Sequence, residues 1–411
     1  MVESVPMYTS FSPLSIFLFS GIVQALFLAF VFFANPRGSR QASLLLAAFF
    51  VIVAVVIVNG ALYQTNLYQD WSFLIGLPLS FQLLVGPFFL WYVKSLIGDF
   101  KFRVRDMVHL LPFLLYLVLE LSFLFRNDFY KMALMYSWLT NRRDWADYLG
   151  RFWYQFGVPL QLGVYLWLVW RAIRRHEVTI RHHFSTIDEL TLNWLRKVVI
   201  AFAAGLVGVS VGDVLPFFGV QMTWMFLCAP ITDTLVVFYL AGVAFLRRPQ
   251  DTLPAPRPPR EPLPEAAVSP TTSEPEPKYG KSSLSEEYGR RVLVRLETLM
   301  GTDRPYTDPD LTLAILAGRL KTSRNHLSQV LNQRLGATFY DYINRWRIQE
   351  SAARLLAPDH QNAGILDIAL DCGFKSKSTF NKAFKAHFSV SPSEYRKNCG
   401  NHPREGTLDA E

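Results

Sequence analysis

The fold of the C-terminal part is decided by the stretch ILDIALDCGFKSKSTFNKAFKAHFSVSP, residues 365–392. Apolar residues at helical spacing predict the inner face of a first short helix: Ile365, Ile368 and Ala369. Gly373 comes four residues after Ala369, where a tight turn needs a left-handed residue. Phe380 and Phe384 lie one helical turn apart and predict the buried side of a second helix. The stretch therefore predicts two helices joined by a turn.

The second of these helices, from about residue 377 to residue 387, is predicted to expose polar and basic side chains. Side chains of these types reach base edges and phosphates, and the major groove of DNA is wide enough to accept a helix. We therefore expect this helix to enter the major groove of double-stranded DNA. The residues predicted to face the DNA are Lys377, Ser378, Asn381, Lys382 and Lys385.

A similar pattern occurs upstream in LTLAILAGRLKTSRNHLSQVLNQRLG, residues 311–336. A helix is predicted to end near Leu320, and Ser323 is suited to cap the next helix. Leu327 and Leu331 predict the buried side of that second helix. Its predicted DNA-facing residues are Arg324, Asn325, Ser328, Gln329 and Asn332.

Lys321 occupies the position in this upstream turn that helix-turn-helix motifs commonly fill with glycine. A non-glycine residue with positive φ costs on the order of 1 kcal/mol, so we expect a differently shaped turn here. Residues 337–357 predict one connecting helix with Tyr342, Trp346 and Leu356 on its buried side. Two helix-turn-helix units that are joined rigidly by this helix are expected to bind adjacent segments of the major groove, roughly 34 Å apart.

The region 278–398 is basic, with 19 Lys and Arg residues against 12 Asp and Glu residues, a net charge of +7. A basic helical domain suits a polyanionic partner. Residues 311–397 resemble the DNA-binding domain of the AraC/XylS family of bacterial transcription regulators. The matching residues are Leu316, Ala317, Ser323, Leu327, Gly336, Phe339, Tyr342, Arg347, Ala352, Leu355, Leu356, Ile368, Ala369, Gly373, Phe374, Ser376, Ser378, Phe380, Phe384, Lys385, Ser391, Pro392, Tyr395 and Arg396.

This resemblance implies an all-helical domain, 278–398, with two helix-turn-helix units that bind double-stranded DNA. It also implies RNA polymerase and a second copy of the chain as further partners. Ser389 departs from the pattern, because the family usually has glycine there. Lys321 and Ser389 put in question the detailed contacts rather than the fold.

Residues 1–248 differ from the rest in being dominated by long apolar runs, in a chain that is 51% hydrophobic. About 20 apolar residues are needed to cross the roughly 30 Å hydrocarbon core of a bilayer. We therefore expect an all-α protein: a polytopic seven-helix transmembrane bundle followed by the soluble DNA-binding domain. The predicted spans lie near 13–34, 41–63, 71–97, 106–126, 149–171, 194–219 and 223–246.

Lys and Arg residues concentrate in alternate loops between these spans. Cytoplasmic loops carry an excess of Lys and Arg, which predicts an outside N-terminus and a cytoplasmic C-terminus in the bacterial inner membrane. The loop residues that give this orientation are Arg37, Arg40, Lys101, Arg103, Arg105, Arg171, Arg174, Arg175, Arg181, Arg247 and Arg248.

Three acids lie inside the predicted spans, at their centre or in their outer half, and Asn59 joins them: Glu120, Asp213 and Asp233. Ionisable residues inside a membrane are costly and usually face the interior of the bundle. One interpretation is an outward-facing cavity for a cationic or polar ligand. The other is hydrogen bonding between helices, or hydration at the ends of the spans.

Residues 249–277 contain ten prolines among 29 residues and predict an extended tether between the two domains. At about 3.1 Å per residue the tether reaches roughly 90 Å. It serves either as a spacer or as a proteolysis site, and its resistance to many proteases favours a spacer. Residues 399–411 are predicted to be a disordered tail.

Sequence features of enzymes are missing: there is no P-loop, no GxSxG elbow and no metal-ligand spacing, and the three cysteines are far apart. We therefore expect no enzyme activity, no cofactor and no metal. The first hypothesis is a membrane-anchored transcription regulator whose bundle senses a small-molecule or envelope signal. The alternative is a transporter or channel-like protein with a regulatory DNA-binding tail.

Overall fold

The structure is a computed structural model that describes residues 12–36, 39–65, 67, 71, 77–98, 100–124, 131, 157–187, 192–214, 225–246 and 286–400. In these ranges the regular elements are helices, and the prediction of an all-α fold is confirmed there. The chain divides into two compact units. The first comprises Met1–Arg175 and Leu192–Glu261, and the second His176–Thr191 and Pro262–Glu411. The predicted tether 249–277 and residues 401–411 of the predicted tail lie outside the described residues.

The helices of the N-terminal half follow the predicted stretches. They are α1 (Pro13–Ala34), α2 (Arg40–Thr65), α3 (Leu77–Ile97), α4 (Leu111–Leu124), α5 (Val158–His183), α6 (Asn193–Val214) and α7 (Met225–Leu246). A 3₁₀ helix, Val104–Leu110, leads directly into α4. Helix α5 continues past the predicted end at 171, and the residues from His176 onward belong to the second unit.

Three helical segments in the described residues are long and apolar enough to cross a membrane: Pro13–Ala34, Arg40–Leu62 and Ser80–Ile97. The apolar segment Pro230–Val243 is shorter than that requirement. Along α1, the side chains of Val23, Phe30 and Phe33 are 67–68% exposed. A row of large exposed apolar side chains is typical of an interaction or membrane surface.

Close helix packing in the first unit depends on small residues. Helix α1 packs against α2 and α7, α2 packs against α3, and α6 packs against α7. A Cβ atom on Gly21 would lie 2.7 Å from Thr234 Cγ2, and one on Gly60 would lie 2.5 Å from Pro230 Cγ. These glycines therefore permit backbone approaches that a larger residue would prevent.

The C-terminal domain, residues 286–400, contains seven further helices among the described residues. They are α8 (Glu286–Thr302), α9 (Leu313–Arg319), α10 (Arg324–Leu335), α11 (Phe339–Leu356), α12 (Ile365–Asp371), α13 (Lys377–Phe388) and α14 (Pro392–Gly400). Two hydrophobic clusters hold them together, one around Leu316 and Leu327 and the other around Phe380 and Phe384.

Helix α11 contributes to both clusters and so joins the two halves of this domain. Its Ile343 belongs to the first cluster, and its Leu355 belongs to the second. Tyr342 is buried and Trp346 is half-buried, as predicted. The prediction for Leu356 is wrong, since it is 41% exposed while Leu355 is 1% exposed. The inner face runs through Ile348, Ala352 and Leu355, whose spacing of four and three residues matches a helix.

Candidate nucleic-acid interface

Two helix pairs in the C-terminal domain have the same architecture. Helices α9 and α10 form the first unit, and α12 and α13 form the second. In each unit a helix of seven residues precedes one of twelve residues. Equivalent hydrogen bonds close the turns: Thr322 N donates to Ala317 O, and Phe374 N donates to Ala369 O, both at 3.0 Å. The prediction of two helix-turn-helix units is confirmed.

Both turns contain a left-handed residue. Gly373 has φ +92° and Lys321 has φ +50°. The expectation of a differently shaped first turn is therefore wrong, because Lys321 itself takes the left-handed conformation that glycine would take. Ser389, the other departure from the family pattern, has φ +61° and ends α13 with its N–H bonded to Lys385 O at 2.9 Å. A left-handed non-glycine residue costs about 1 kcal/mol or more.

Serine caps fix the start of the second helix of each unit, α10 and α13, which we call the recognition helices. Ser323 Oγ accepts from His326 N at 3.1 Å, as predicted, and Ser376 Oγ accepts from Thr379 N at 3.2 Å. The first helical residues are then Arg324 and Lys377. A helix N-terminus carries partial positive charge and favours a phosphate, so the capped ends suit a DNA backbone.

On α10 the buried face is as predicted. Leu327 and Leu331 are buried. Of the five predicted DNA-facing residues, Asn325 and Asn332 are exposed, whereas three are half-buried: Arg324, Ser328 and Gln329. Asn332 Nδ2 donates to Ser328 Oγ at 3.4 Å, and Gln329 Nε2 donates to Gln333 Oε1 at 3.2 Å. Gln333, an exposed member of this polar row, was not predicted.

On α13 the anchors Phe380 and Phe384 are fully buried, with ring centroids 5.4 Å apart. Of the predicted DNA-facing residues, Asn381 is half-buried and the other four are exposed: Lys377, Ser378, Lys382 and Lys385. Helix α13 therefore carries three exposed lysines, whereas α10 carries two arginines, Arg324 and Arg334. The three lysines suit phosphate contacts.

Arg347 joins the two units; it is among the residues that match the family pattern, but the sequence predicted no structural role for it. Its side chain is 1% exposed, and Nε donates to Tyr306 O at 2.7 Å while Nη2 donates to Asp308 O at 2.8 Å. The guanidinium lies over the ring of Phe374, 5.9 Å from its centroid. Burial lowers the pKa of Arg347 to about 10, against the opposing effect of Asp308.

These contacts tie the segment before α9 to the turn of the second unit. A sequence signal existed, because Arg347 lies between Ile343 and Ile348 on the buried side of α11. An arginine on an apolar helical face requires acceptors nearby, but the sequence does not say which residues supply them.

The polar residues predicted inside the spans are only partly brought together. Asp233 lines a cavity of about 40 Å³ among the N-terminal helices, in the first compact unit. Gln82 and Thr232 are further polar lining residues. Asn59 lies half-buried on α2 and does not line this cavity. The side chains of Glu120 and Asp213 lie outside the described residues. The cavity matches one or two water molecules in size, so an organic ligand would need a wider conformation.

Metal binding and thiol reactivity find little support in the described ranges. Among them, no group of three or more His, Cys, Asp or Glu side chains is placed to hold a metal ion. Cys372 is a free thiol that packs fully buried in the second hydrophobic cluster. Burial raises the pKa of its thiol, which disfavours the reactive thiolate.

Known proteins resemble the C-terminal domain. Residues 316–398 match the family model described as "Helix-turn-helix domain". The "Probable transcription factor PqrA" of Proteus vulgaris is 36% identical over 115 residues, which cover 28% of this chain and 88% of PqrA. The "HTH-type transcriptional regulator MtrA" of Neisseria gonorrhoeae is 32% identical over 99 residues, 24% of this chain and 31% of MtrA.

Among solved structures, the C-terminal domain of the two-component response regulator yesN from Fusobacterium nucleatum is 26% identical. The match covers 26% of this chain and 98% of that one, with a TM-score of 0.23. The fold, the two units and the match to PqrA together define a DNA-binding helix-turn-helix protein. The chain belongs to the AraC-type family of transcription regulators. It spans about a third of the length of MtrA, so what is shared with that relative is one domain.

Proposed function

We propose that the protein is a membrane-anchored, sequence-specific transcription regulator. One observation carries the proposal. A domain with two helix-turn-helix units shares a chain with three helices long and apolar enough to cross a bilayer. A membrane-attached DNA reader uses both features.

In this proposal the two recognition helices, α10 and α13, make different kinds of contact with DNA. The lysines of α13, Lys377, Lys382 and Lys385, contact phosphates and set the affinity. The amide side chains of α10 are suited to base edges, since Asn and Gln pair with adenine in the major groove. RNA polymerase and a second copy of the chain are included as partners on the strength of the family resemblance.

The N-terminal helices α1–α7 form seven spans in this proposal, with the N-terminus outside and the DNA-binding domain in the cytoplasm. Two observations support it: each of the seven described helices overlaps a predicted stretch, and Lys and Arg residues concentrate in alternate loops. A small-molecule or envelope signal acts on this bundle. Its candidate binding residues are Asn59, Glu120, Asp213 and Asp233, of which Asp233 faces a described cavity.

The experiment uses the full chain in bacterial cells. Membranes are separated from cytosol, and DNA sites bound by the chain are mapped across the genome after crosslinking. We expect the chain in the membrane fraction and a small set of enriched sites that share one sequence motif. A matched control carries Lys377→Ala and Lys382→Ala, which leave the membrane helices unchanged and should remove the enrichment. Cytosolic protein, or enrichment that the control retains, would contradict the proposal.

A further inference from the structure

The end of α5 and the residues after it contact the C-terminal domain in the second compact unit. We name residues 181–187 the α5 tail. Phe184 forms an isolated antiparallel β-bridge with Thr312, the residue that caps α9. Ser185 N donates to Leu311 O at 3.3 Å, and Ser185 Oγ donates to the same oxygen at 2.7 Å. The α5 tail is therefore bound along the strand-like entry to the first helix-turn-helix unit.

The second set of contacts converges on Arg347. Its Nη1 donates to Ser185 O at 3.2 Å and to Thr186 Oγ1 at 3.3 Å, and its Nη2 donates to Ser185 Oγ at 3.1 Å. Thr186 Oγ1 in turn donates to Pro309 O at 2.9 Å. Ser185 is 1% exposed, so these hydrogen bonds form in a site shielded from water. Both hydroxyls of the α5 tail thus act as donors and acceptors at once.

These contacts matter because Arg347 is buried and charged. A buried guanidinium needs hydrogen-bond acceptors, and the loss of any acceptor leaves a costly unpaired donor. Backbone carbonyls of residues 306 and 308 supply some, and Ser185 and Thr186 supply the others. Arg181 adds a contact of its own, with its guanidinium 5.5 Å from the centroid of the Tyr340 ring. The surface that receives the α5 tail is therefore specific for this segment.

We propose that the α5 tail is a built-in partner of the DNA-binding domain that holds the two helix-turn-helix units in register through Arg347. Helix α5 is continuous from Val158 to His183, so a rotation or shift of this helix reaches the α5 tail directly. A change in the membrane bundle thereby alters DNA affinity without passing through the proline-rich segment. The inference rests on the proposed function, because it assigns the route by which that regulator is controlled.

Docking of the α5 tail is tested by a disulfide in the full chain in membranes. In an antiparallel pair the facing Cα atoms lie about 4.5–5.5 Å apart, within the range of a disulfide. Phe184→Cys with Thr312→Cys should therefore crosslink on mild oxidation, read as a linked tryptic peptide by mass spectrometry. Phe184→Cys with Ser393→Cys is the control and should not crosslink. Equal crosslinking in both pairs, or none in the first, would overturn the docking.

Coupling is tested with Ser185→Ala and Thr186→Val together, which remove both hydroxyls at Arg347 and leave the membrane helices intact. The DNA probe is a fragment recovered by genomic mapping with the wild-type chain. We expect binding about fivefold weaker or more, at the lower end of ordinary coupling between sites. Thr186→Ser, which keeps the hydroxyl, should bind like the wild type. Thr298→Val with Ser393→Ala, at exposed positions of the same unit, is the matched control and should also be unchanged.

The two proposals fail in distinguishable ways. If the wild-type chain binds no DNA, the proposed function is wrong, and the disulfide experiment still decides whether the α5 tail docks. If the wild type and the Ser185/Thr186 variant bind DNA equally or the variant binds more tightly, the coupling is overturned while the proposed function stands.

Discussion

The two helix-turn-helix units have one backbone architecture and two different chemistries. Their helix lengths and turn-closing hydrogen bonds are equivalent. At the left-handed turn position, however, the first unit has Lys321 and the second has Gly373. The exposed side of α10 presents mainly amides and hydroxyls, whereas that of α13 presents three lysines.

The comparison shows that a left-handed turn tolerates different residues according to the space around it. Lys321 is exposed, so its side chain extends into solvent at the cost of backbone strain alone. Gly373 is enclosed: a Cβ there would lie 2.5 Å from Tyr306 O and 2.9 Å from Arg347 Nε. Glycine is therefore favoured at the second turn for two reasons, the positive φ and the lack of space, and at the first turn for the positive φ alone.

The largest effect on stability is expected when a side chain is added at Gly373 in the second turn. Gly373→Ala should destabilise the domain by about 3 kcal/mol, because backbone strain adds to the overlap with Tyr306 and Arg347. Lys321→Gly should instead be neutral or stabilise by up to about 1 kcal/mol, since it relieves strain in open space. Urea unfolding of the 278–398 fragment measures both. Equal destabilisation by the two changes would contradict the contrast between the turns.

The next effect concerns charge. Lys377→Ala with Lys382→Ala should weaken DNA binding by about 2 kcal/mol or more, because hydrogen bonds to charged groups are worth about 1.5–3 kcal/mol each. The slope of log K against log salt should fall in magnitude by roughly 2, one unit for each phosphate contact. Fluorescence anisotropy across a salt series gives both quantities. An unchanged salt slope would contradict the proposal that the lysines of α13 contact DNA phosphates.

A smaller effect is expected for the amide side chains of α10 in the first unit. Asn325→Ala with Asn332→Ala should reduce discrimination between the target and a scrambled sequence by about 1–2 kcal/mol, since base contacts carry specificity. The salt slope should stay the same, because no cation is removed. The same anisotropy assay with both DNAs measures this. A changed salt slope with intact discrimination would contradict the assignment of base contacts to α10, because it would indicate that α10 contacts phosphates instead.

The smallest effects come from the two caps, which the units share. Ser323→Ala and Ser376→Ala each remove the hydroxyl that accepts from the third residue of a recognition helix. Each should cost about 1 kcal/mol of stability. Thermal unfolding of the 278–398 fragment gives the comparison, with Ser323→Asp and Ser376→Asp as cap-preserving controls. A marked difference between the two caps would contradict the equivalence of the N-termini of α10 and α13.

Periodicity and turn chemistry sufficed to predict both helix pairs, their anchors Leu327 and Phe384, and the serine cap at position 323. These features are local, because helix propensity, capping and face assignment depend on residues a few positions apart. The turn at Lys321 was misjudged because the local cost of positive φ is small beside the hydrogen bond and packing that hold the turn. The prediction that Leu356 is buried was wrong because the sequence offers two adjacent leucines, Leu355 and Leu356. Which of them faces the core depends on how the helix is rotated about its axis when it packs.

The sequence by itself determined an all-helical protein with long apolar helices in one half and two DNA-reading helix pairs in the other. Only the tertiary structure showed that Arg347 joins the two pairs and that Ser185 and Thr186, more than 160 residues earlier, supply some of its acceptors. The physical reason is that a buried guanidinium has to be satisfied by whichever oxygens the fold brings within 3 Å or so. Sequence patterns report local preference, whereas such long-range pairing is decided when the chain packs.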